Sequence, residues 1–274
     1  MFPVSGAAVV CGLSGGADST ALVALAVAAG CDVTAVHVNH GLRASATIDA
    51  DTARASAAQL GIGFRSIDVE VPDGPNLEAR ARSARRAALG PDAMTGHTAD
   101  DQAETLLLAL LRGSGAAGLG AIGPGWRHPI LALRRFETRA VCDHFGLTIA
   151  DDPTNDDRRF RRNRIRHELL PLLDDIAERD VSVLLNRTAD LLRADEQFLD
   201  ELAASIDPTD AGQLATSPGV LAARAIRHWI EFDGYPPDAD TVQRVLAVAR
   251  GHSAACELAG GRRIERRSGR LHLV

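Results

Sequence analysis

The chain has 274 residues, 46% of them hydrophobic and 24% charged, with a formal net charge of −6. All 30 basic residues are arginine, and a chain without lysine cannot carry a Walker A phosphate loop, a kinase-type phosphate-pairing lysine, a pyridoxal Schiff base or a lysyl-adenylate intermediate. Aromatic residues supply only 4%, so the core must be built from Ala, Leu and Val, and base reading by rows of stacked rings is disfavoured.

From residue 7 onward, short apolar runs alternate with longer amphipathic ones. Residues 7–13, 32–38, 64–71 and 93–96 read as strands, and residues 19–29, 47–60, 76–89 and 101–112 as the helices between them. Strands separated by helices of that length imply βαβ crossovers. The expected fold is therefore α/β, a Rossmann-like, mostly parallel sheet with helices on both faces. Beyond residue 134 helical patterns dominate, over 135–145, 163–176, 182–205, 219–232 and 240–250. The chain ends in short alternating runs divided by Gly260-Gly261 and Ser268-Gly269, the punctuation of a β-hairpin. A domain boundary is expected between residues 176 and 208, with residues 207–218 as a loop.

The four cysteines lie far apart with no CxxC, which disfavours disulfides, zinc ribbons and iron–sulfur sites. No basic leader and no apolar run long enough for a bilayer is present, so a cytoplasmic protein with no membrane association is expected.

The sharpest motif is Leu13-Ser14-Gly15-Gly16-Ala17-Asp18-Ser19-Thr20, between the first strand and the first helix. Its glycines let the backbone approach a ligand, and the free N–H groups of the helix start attract anions. Ser14, Gly15, Gly16, Ala17 and Ser19 are expected to cradle phosphates, with Asp18 holding Mg²⁺ against them. After later strands come Val36-His37-Val38-Asn39-His40-Gly41-Leu42-Arg43 and Gly96-His97-Thr98-Ala99-Asp100-Asp101-Gln102-Ala103-Glu104-Thr105. Asp101 and Glu104, at i and i+3, fall on one helical face near the carboxyl ends of the strands. The same acids also suit a first helical turn, where they complement the dipole. His37 and His40 are either packed or ligand-facing. Arg80, Arg82, Arg85 and Arg86 form either a solvated face or an anion site.

The phosphate loop resembles that of the N-type ATP pyrophosphatase (PP-loop) superfamily, which needs no Walker lysine. Together with residues 78–85 (EARARSAR), the run from Gly96 to Leu119, Asp151-Asp152-Pro153-Thr154-Asn155, and Arg162-Asn163 with Arg166, the motifs resemble the tRNA(Ile)-lysidine synthase family in order. The resemblance implies a domain of residues 1–180 for ATP chemistry and a helical tRNA-binding domain of residues 181–274 with the terminal hairpin. It implies two steps. ATP adenylates the wobble cytidine of a CAU-anticodon tRNA(Ile), releasing pyrophosphate; the ε-amine of free L-lysine then displaces AMP. It further implies Asp18, His97, Asp101, Glu104 and Arg112 as catalytic residues. Asp101 and Glu104 would position lysine or act as base with His97 as helper, while Arg82 or Arg112 would stabilise the pyrophosphate. Arg82, Arg162 and Arg166 would contact tRNA or the adenylate. A homodimer is among the assemblies left open. Many members of the family carry a further C-terminal domain; a short form without it is expected here, so discrimination against tRNA(Met) is expected to rest on the anticodon stem and residues 180–250.

Six arginines fall within residues 158–166 and five within 262–270, while acids concentrate between 174 and 210, so the acidic total hides local basic patches. Rival readings are a PP-loop sulfurtransferase, which would need catalytic cysteines, and an ATP sensor without turnover. An amidotransferase would need a glutaminase domain or an ammonia source. Cys11 and Cys31 read instead as buried small hydrophobes.

Overall fold

A computed structural model describes residues 1–39, 46–71, 77–150, 157–231 and 237–274, with the side chains of 46–48 and 77–79 set aside. His40 to Arg43, the side chain of Glu78 and the run Asp151 to Asn155, all quoted above as motif residues, lie outside the described set. The chain forms two compact units, Met1–Leu191 and Leu192–Val274.

The first unit is built on a parallel sheet of β1 (Ala8–Gly12), β2 (Asp32–Asn39) and β3 (Gly63–Asp68), in the order β1-β2-β3. Ala8 pairs with Asp32 and Thr34 with Gly63, which sets the register. The intervening helices are α1 (Ala17–Ala28), α2 (Ala46–Gln59) and α3 (Leu77–Leu89). Alanines make close packing possible here: Ala26, Ala35, Ala53 and Ala57 are fully buried with Leu22, Val23, Val33 and Met94 in one core.

The expected strand over residues 93–96 is reduced to a single parallel bridge, Cys11 to Met94. Met94 exchanges two hydrogen bonds with Val10 and Gly12, but the Thr95 N–H already turns away to the Arg127 carbonyl. A segment confined between Gly90-Pro91 and the helix cap at Thr98 has room for one rung of ladder and no more.

Helix α4 (Ala99–Leu111) starts two residues earlier than expected, because Thr98 is its cap in a reciprocal capping box with Asp101. A short α5 (Ala116–Leu119) and α6 (Arg135–His144) follow, and α6 lies against α1 through Cys142, Ala21 and Ala24. The expected helix 163–176 is three pieces: α7 (Arg161–Arg164), a π-helical turn (Ile165–Leu169) and α8 (Leu170–Ala177). Ile165 and Leu170 pack on Leu107 of α4. The division between units falls within α9 (Val181–Ala203).

In the second unit the expected loop 207–218 contains α10 (Ala211–Thr216), whose cap is the Asp210 carboxylate accepting from the Gln213 N–H. Gly212 inside that turn hid its helical pattern. Helices α11 (Gly219–Ile230) and α12 (Ala239–Ala249) pack Ile226, Ile230, Val245 and Leu246 against Ile264 and Leu271. Those two come from an antiparallel sheet of β4 (Ala255–Glu257), β5 (Arg263–Arg267) and β6 (Arg270–Leu273). Ser268 and Gly269, both at positive φ, make the tight β5–β6 turn. Among the described residues no helix is long and apolar enough to cross a membrane.

Candidate active site

The loop from Ser14 to Ser19 is held by its own side chains. The Ser19 hydroxyl donates to the Gly16 carbonyl at 3.0 Å and accepts from the Ser14 N–H at 3.1 Å, and the two serine hydroxyls lie 3.0 Å apart. Gly15 has φ +93°, and a Cβ there would lie 3.0 Å from the Asp49 carbonyl, so both strain and space require glycine. Gly96 is tighter still: a Cβ would lie 2.6 Å from the Asp18 carbonyl and 2.9 Å from the Ser19 nitrogen. The segment at Gly96, just after the Met94 bridge, and the start of α1 thus touch backbone to backbone. Gly96→Ala is expected to displace the loop, costing about 1–3 kcal/mol of stability and most nucleotide affinity. A titration with a fluorescent ATP analogue beside a urea melt checks this, and unchanged affinity would show that the contact is unimportant.

His37 is buried, its Nδ1 3.0 Å from the Leu13 carbonyl. It is a packed histidine bracing the strand end.

The acids of α4 meet arginines from two other elements. Glu104 is fully buried and accepts from Arg135 Nη1 at 2.8 Å, Arg162 Nε at 2.6 Å and Arg166 Nε at 2.8 Å. Asp101 accepts from Arg135 Nη2 at 2.8 Å and from its own cap, the Thr98 N–H at 2.9 Å. Asp100 turns instead to Arg134 and to the Arg135 N–H. Arg134 also pairs with Asp180. On the nucleotide side, Asp18 Oδ1 accepts from Thr138 at 2.5 Å, and its Oδ2 lies 3.7 Å from Arg135 Nε.

The electrostatics follow from these contacts. Burial alone would raise the Asp101 pKa, but Arg135 and Arg162 outweigh it and hold it at about 2. Glu104 is held below its ordinary value in the same contest, Arg135 and Arg166 overcoming burial. Asp18 goes the other way: burial raises its pKa more than the Thr138 hydrogen bond and Arg135 lower it. His97 is pushed down to about 3, chiefly by burial. Its Nδ1 lies 2.8 Å from the Thr95 hydroxyl, and its ring sits edge-on to that of His128 at 4.8 Å.

The structure therefore brings Asp18, Asp101, Glu104, Arg162 and Arg166 into one cluster, with His97 beside it. Arg112 is not part of it. It caps the far end of α4, exposed and eleven residues from Asp101, about 16 Å along the axis. Arg82 stands in a basic row on α3; burial, then repulsion by Arg162, Arg85 and Arg86, lowers its pKa. Asp101 and Glu104 both accept from guanidinium groups, an arrangement that lowers their basicity.

The residues that the sequence did not single out are Arg134, Arg135 and Thr138, at the start of α6. The available signal was an anomaly: two arginines at a helix amino terminus oppose the dipole unless carboxylates await them.

The basic runs are largely compensated. Arg159 pairs with Asp157, Arg158 and Arg164 with Glu168, and in the second unit Arg270 pairs with Asp207. Arg263 and Arg267 share Glu265, and Arg262 donates to the Ile230 carbonyl at the end of α11. Cys11 is fully buried, its thiol pushed up to about 12 by burial.

Residues 2–173 match the PP-loop domain family. Over 261 residues the chain is 43% identical to the tRNA(Ile)-lysidine synthase of Nocardia farcinica, covering 89% of this chain and 82% of that protein. The chain belongs to the tRNA(Ile)-lysidine synthase family. Its relative in Mycolicibacterium paratuberculosis, also a tRNA(Ile)-lysidine synthase, is 46% identical over 238 residues, covering 81% of this chain and 74% of the relative. Among solved structures, the U34-tRNA thiolase NcsA from Methanococcus maripaludis superposes with a TM-score of 0.53 at 18% identity, over 69% of this chain and 73% of that one. That likeness is one of fold.

Proposed function

We infer that the chain is an ATP-dependent ligase that forms lysidine at the wobble cytidine of the CAU-anticodon tRNA(Ile). ATP adenylates the C2 oxygen of the base with loss of pyrophosphate; the ε-amine of L-lysine attacks C2, and AMP leaves. The observation that carries the reading is the single cluster in which the phosphate-loop acid Asp18 and the paired acids Asp101 and Glu104 share Arg135. Nucleotide chemistry and amine binding thereby meet in one place.

Each residue then has a task. The loop N–H groups and the Ser14 and Ser19 hydroxyls bind phosphates at the start of α1. Asp101 and Glu104 bind the lysine ammonium. Arg162 and Arg166, which stay on Glu104, favour loss of the amine's proton to solvent, since neighbouring positive charge disfavours the ammonium form. Neutral His97 stands by as a hydrogen-bond partner, and Arg82 with Arg162 faces the phosphates of tRNA or the adenylate. Residues 181–274 are the proposed tRNA-binding domain, with five arginines within 262–270, and the setting is cytoplasmic.

Mg²⁺ fits the chain's own chemistry. Asp18 Oδ2 has only a long ion pair to Arg135, at 3.7 Å, and a cation would offset the burial that raises its pKa. Among the described residues no three His, Cys, Asp or Glu side chains gather as a metal cage. Mg²⁺ commonly needs only one or two carboxylates plus substrate phosphates. Asp18 would hold it there, where it would neutralise charge on the departing pyrophosphate.

Incubating the chain with radiolabelled lysine, ATP, Mg²⁺ and a tRNA(Ile) transcript should place label in the RNA. Asp18→Asn should lower the rate at least about a hundredfold. Cys11→Ser and Cys31→Ser should retain it. No label with a cognate transcript and intact ATP would defeat the reading, and an obligatory cysteine would favour sulfur chemistry instead.

A further inference from the structure

The first turn of α6 holds a side chain that belongs to both halves of the site. Among the described residues, Arg135 is the guanidinium within 4 Å of Asp18 as well as of Asp101 and Glu104. Its backbone is anchored independently, since its N–H donates to Asp100 Oδ2 at 2.8 Å. One turn further, Thr138 holds the other oxygen of Asp18. Three carboxylates, Asp18, Asp101 and Glu104, face three guanidinium groups, Arg135, Arg162 and Arg166. One arginine, Arg135, thus spans the nucleotide side and the amine side.

We propose that Arg135 is a positioning residue that couples nucleotide occupancy to lysine binding. The proposal rests on the reading that Asp101 and Glu104 receive the lysine ammonium. Phosphates arriving at the loop place new negative charge beside Asp18 and draw the guanidinium toward them. Each Nη atom that turns releases one lone-pair position, on Asp101 Oδ1 or on Glu104 Oε1, while Arg162 stays beside the first and Arg166 on the second; the released positions are the acceptors an ammonium needs. In the reverse order, an ammonium seated on the two acids displaces Arg135 toward the loop, where it awaits phosphate. Because both ligands compete for or release the same side chain, the effect is reciprocal. Arg162 and Arg166 do not serve this role, since neither is within ion-pair distance of Asp18 among the described residues.

The test is calorimetric, on the full chain with Mg²⁺ and without tRNA. L-lysine is titrated in the absence and presence of an ATP analogue with a methylene α,β bridge. Lysine should bind about tenfold tighter with the analogue present, and the analogue should gain by the same factor when lysine is added first. In Arg135→Gln both ligands should still bind, with the factor reduced to about one, a change that a merely structural role would not produce. Arg135→Lys keeps the charge but cannot fork over three carboxylates, so it should also lose most of the factor, and it serves if the glutamine variant unfolds. Lysine binding that is independent of nucleotide in the unaltered chain, or a factor unchanged in a folded variant, overturns the coupling. Failure of the underlying assignment looks different: Asp101→Asn and Glu104→Gln would then leave lysine affinity untouched.

Discussion

Glu104→Ala should be among the most damaging single substitutions in the first unit. The carboxylate is wholly buried and accepts from Arg135, Arg162 and Arg166 at 2.6–2.8 Å. Its removal leaves three guanidinium groups around Asp101, which already accepts from Arg135 and its own helix cap. Breaking a buried pair by deleting one partner costs about 3–5 kcal/mol, because the remaining charge is stranded. In a unit of this size that corresponds to a fall in melting temperature on the order of 10 °C. Glu104→Gln keeps shape and one acceptor, so it should fold better while still losing lysine affinity. The pair of variants separates the structural task of the carboxylate from its task in binding. A thermal melt within about 2 °C of the unaltered chain for Glu104→Ala would mean that the arginines relax into solvent and that the cluster is not a structural centre.

Acidification should destabilise the first unit from about pH 6.5 downward. His97 has a folded pKa of about 3, against about 6.5 for an unperturbed histidine. Above pH 6.5 the ring is neutral in both states, and its full contribution is present. Below that the unfolded chain takes up a proton that the folded chain refuses, so stability falls by up to about 1.4 kcal/mol per pH unit as the pH drops toward 3. Asp101, with a folded pKa of about 2, adds its own loss only below its unfolded value of about 3.9. Urea melts at intervals from pH 7 to pH 4.5 should show this slope, and His97→Gln should flatten it. An equal slope in that variant would locate the acid sensitivity elsewhere.

Much of this molecule was legible from local pattern. The runs that became β1, β2 and β3 and the helices after them are set by apolar period and by glycine punctuation, both properties of neighbouring residues. Boundaries moved where a side chain bonded the backbone, as Thr98 and Asp210 do, because such a cap is decided by geometry and not by period. The fourth strand shrank to Met94 because the partner of Thr95 is Arg127, far away in sequence. The site divided in the same manner. Asp18, Asp101 and Glu104 lie in compact motifs, whereas Arg135 matters only through residues 31, 34 and 117 positions earlier in the chain. No window along the sequence shows such a meeting. Arg112 shows the opposite case, since it shares a helix with Asp101 and Glu104 yet stands at the far end, away from their cluster.

The cations of the cluster are all arginine, and this bears on its behaviour in alkali. A guanidinium keeps its charge at any pH the fold survives. Asp101 and Glu104 are ionised throughout, and His97 is already neutral. From neutrality upward, Asp101, Glu104, His97 and the arginines are therefore silent to titration. Any rise in the rate of the second step with alkali must report the amine of the incoming amino acid, which makes the pH–rate curve a direct reading of the substrate's own acidity inside the site.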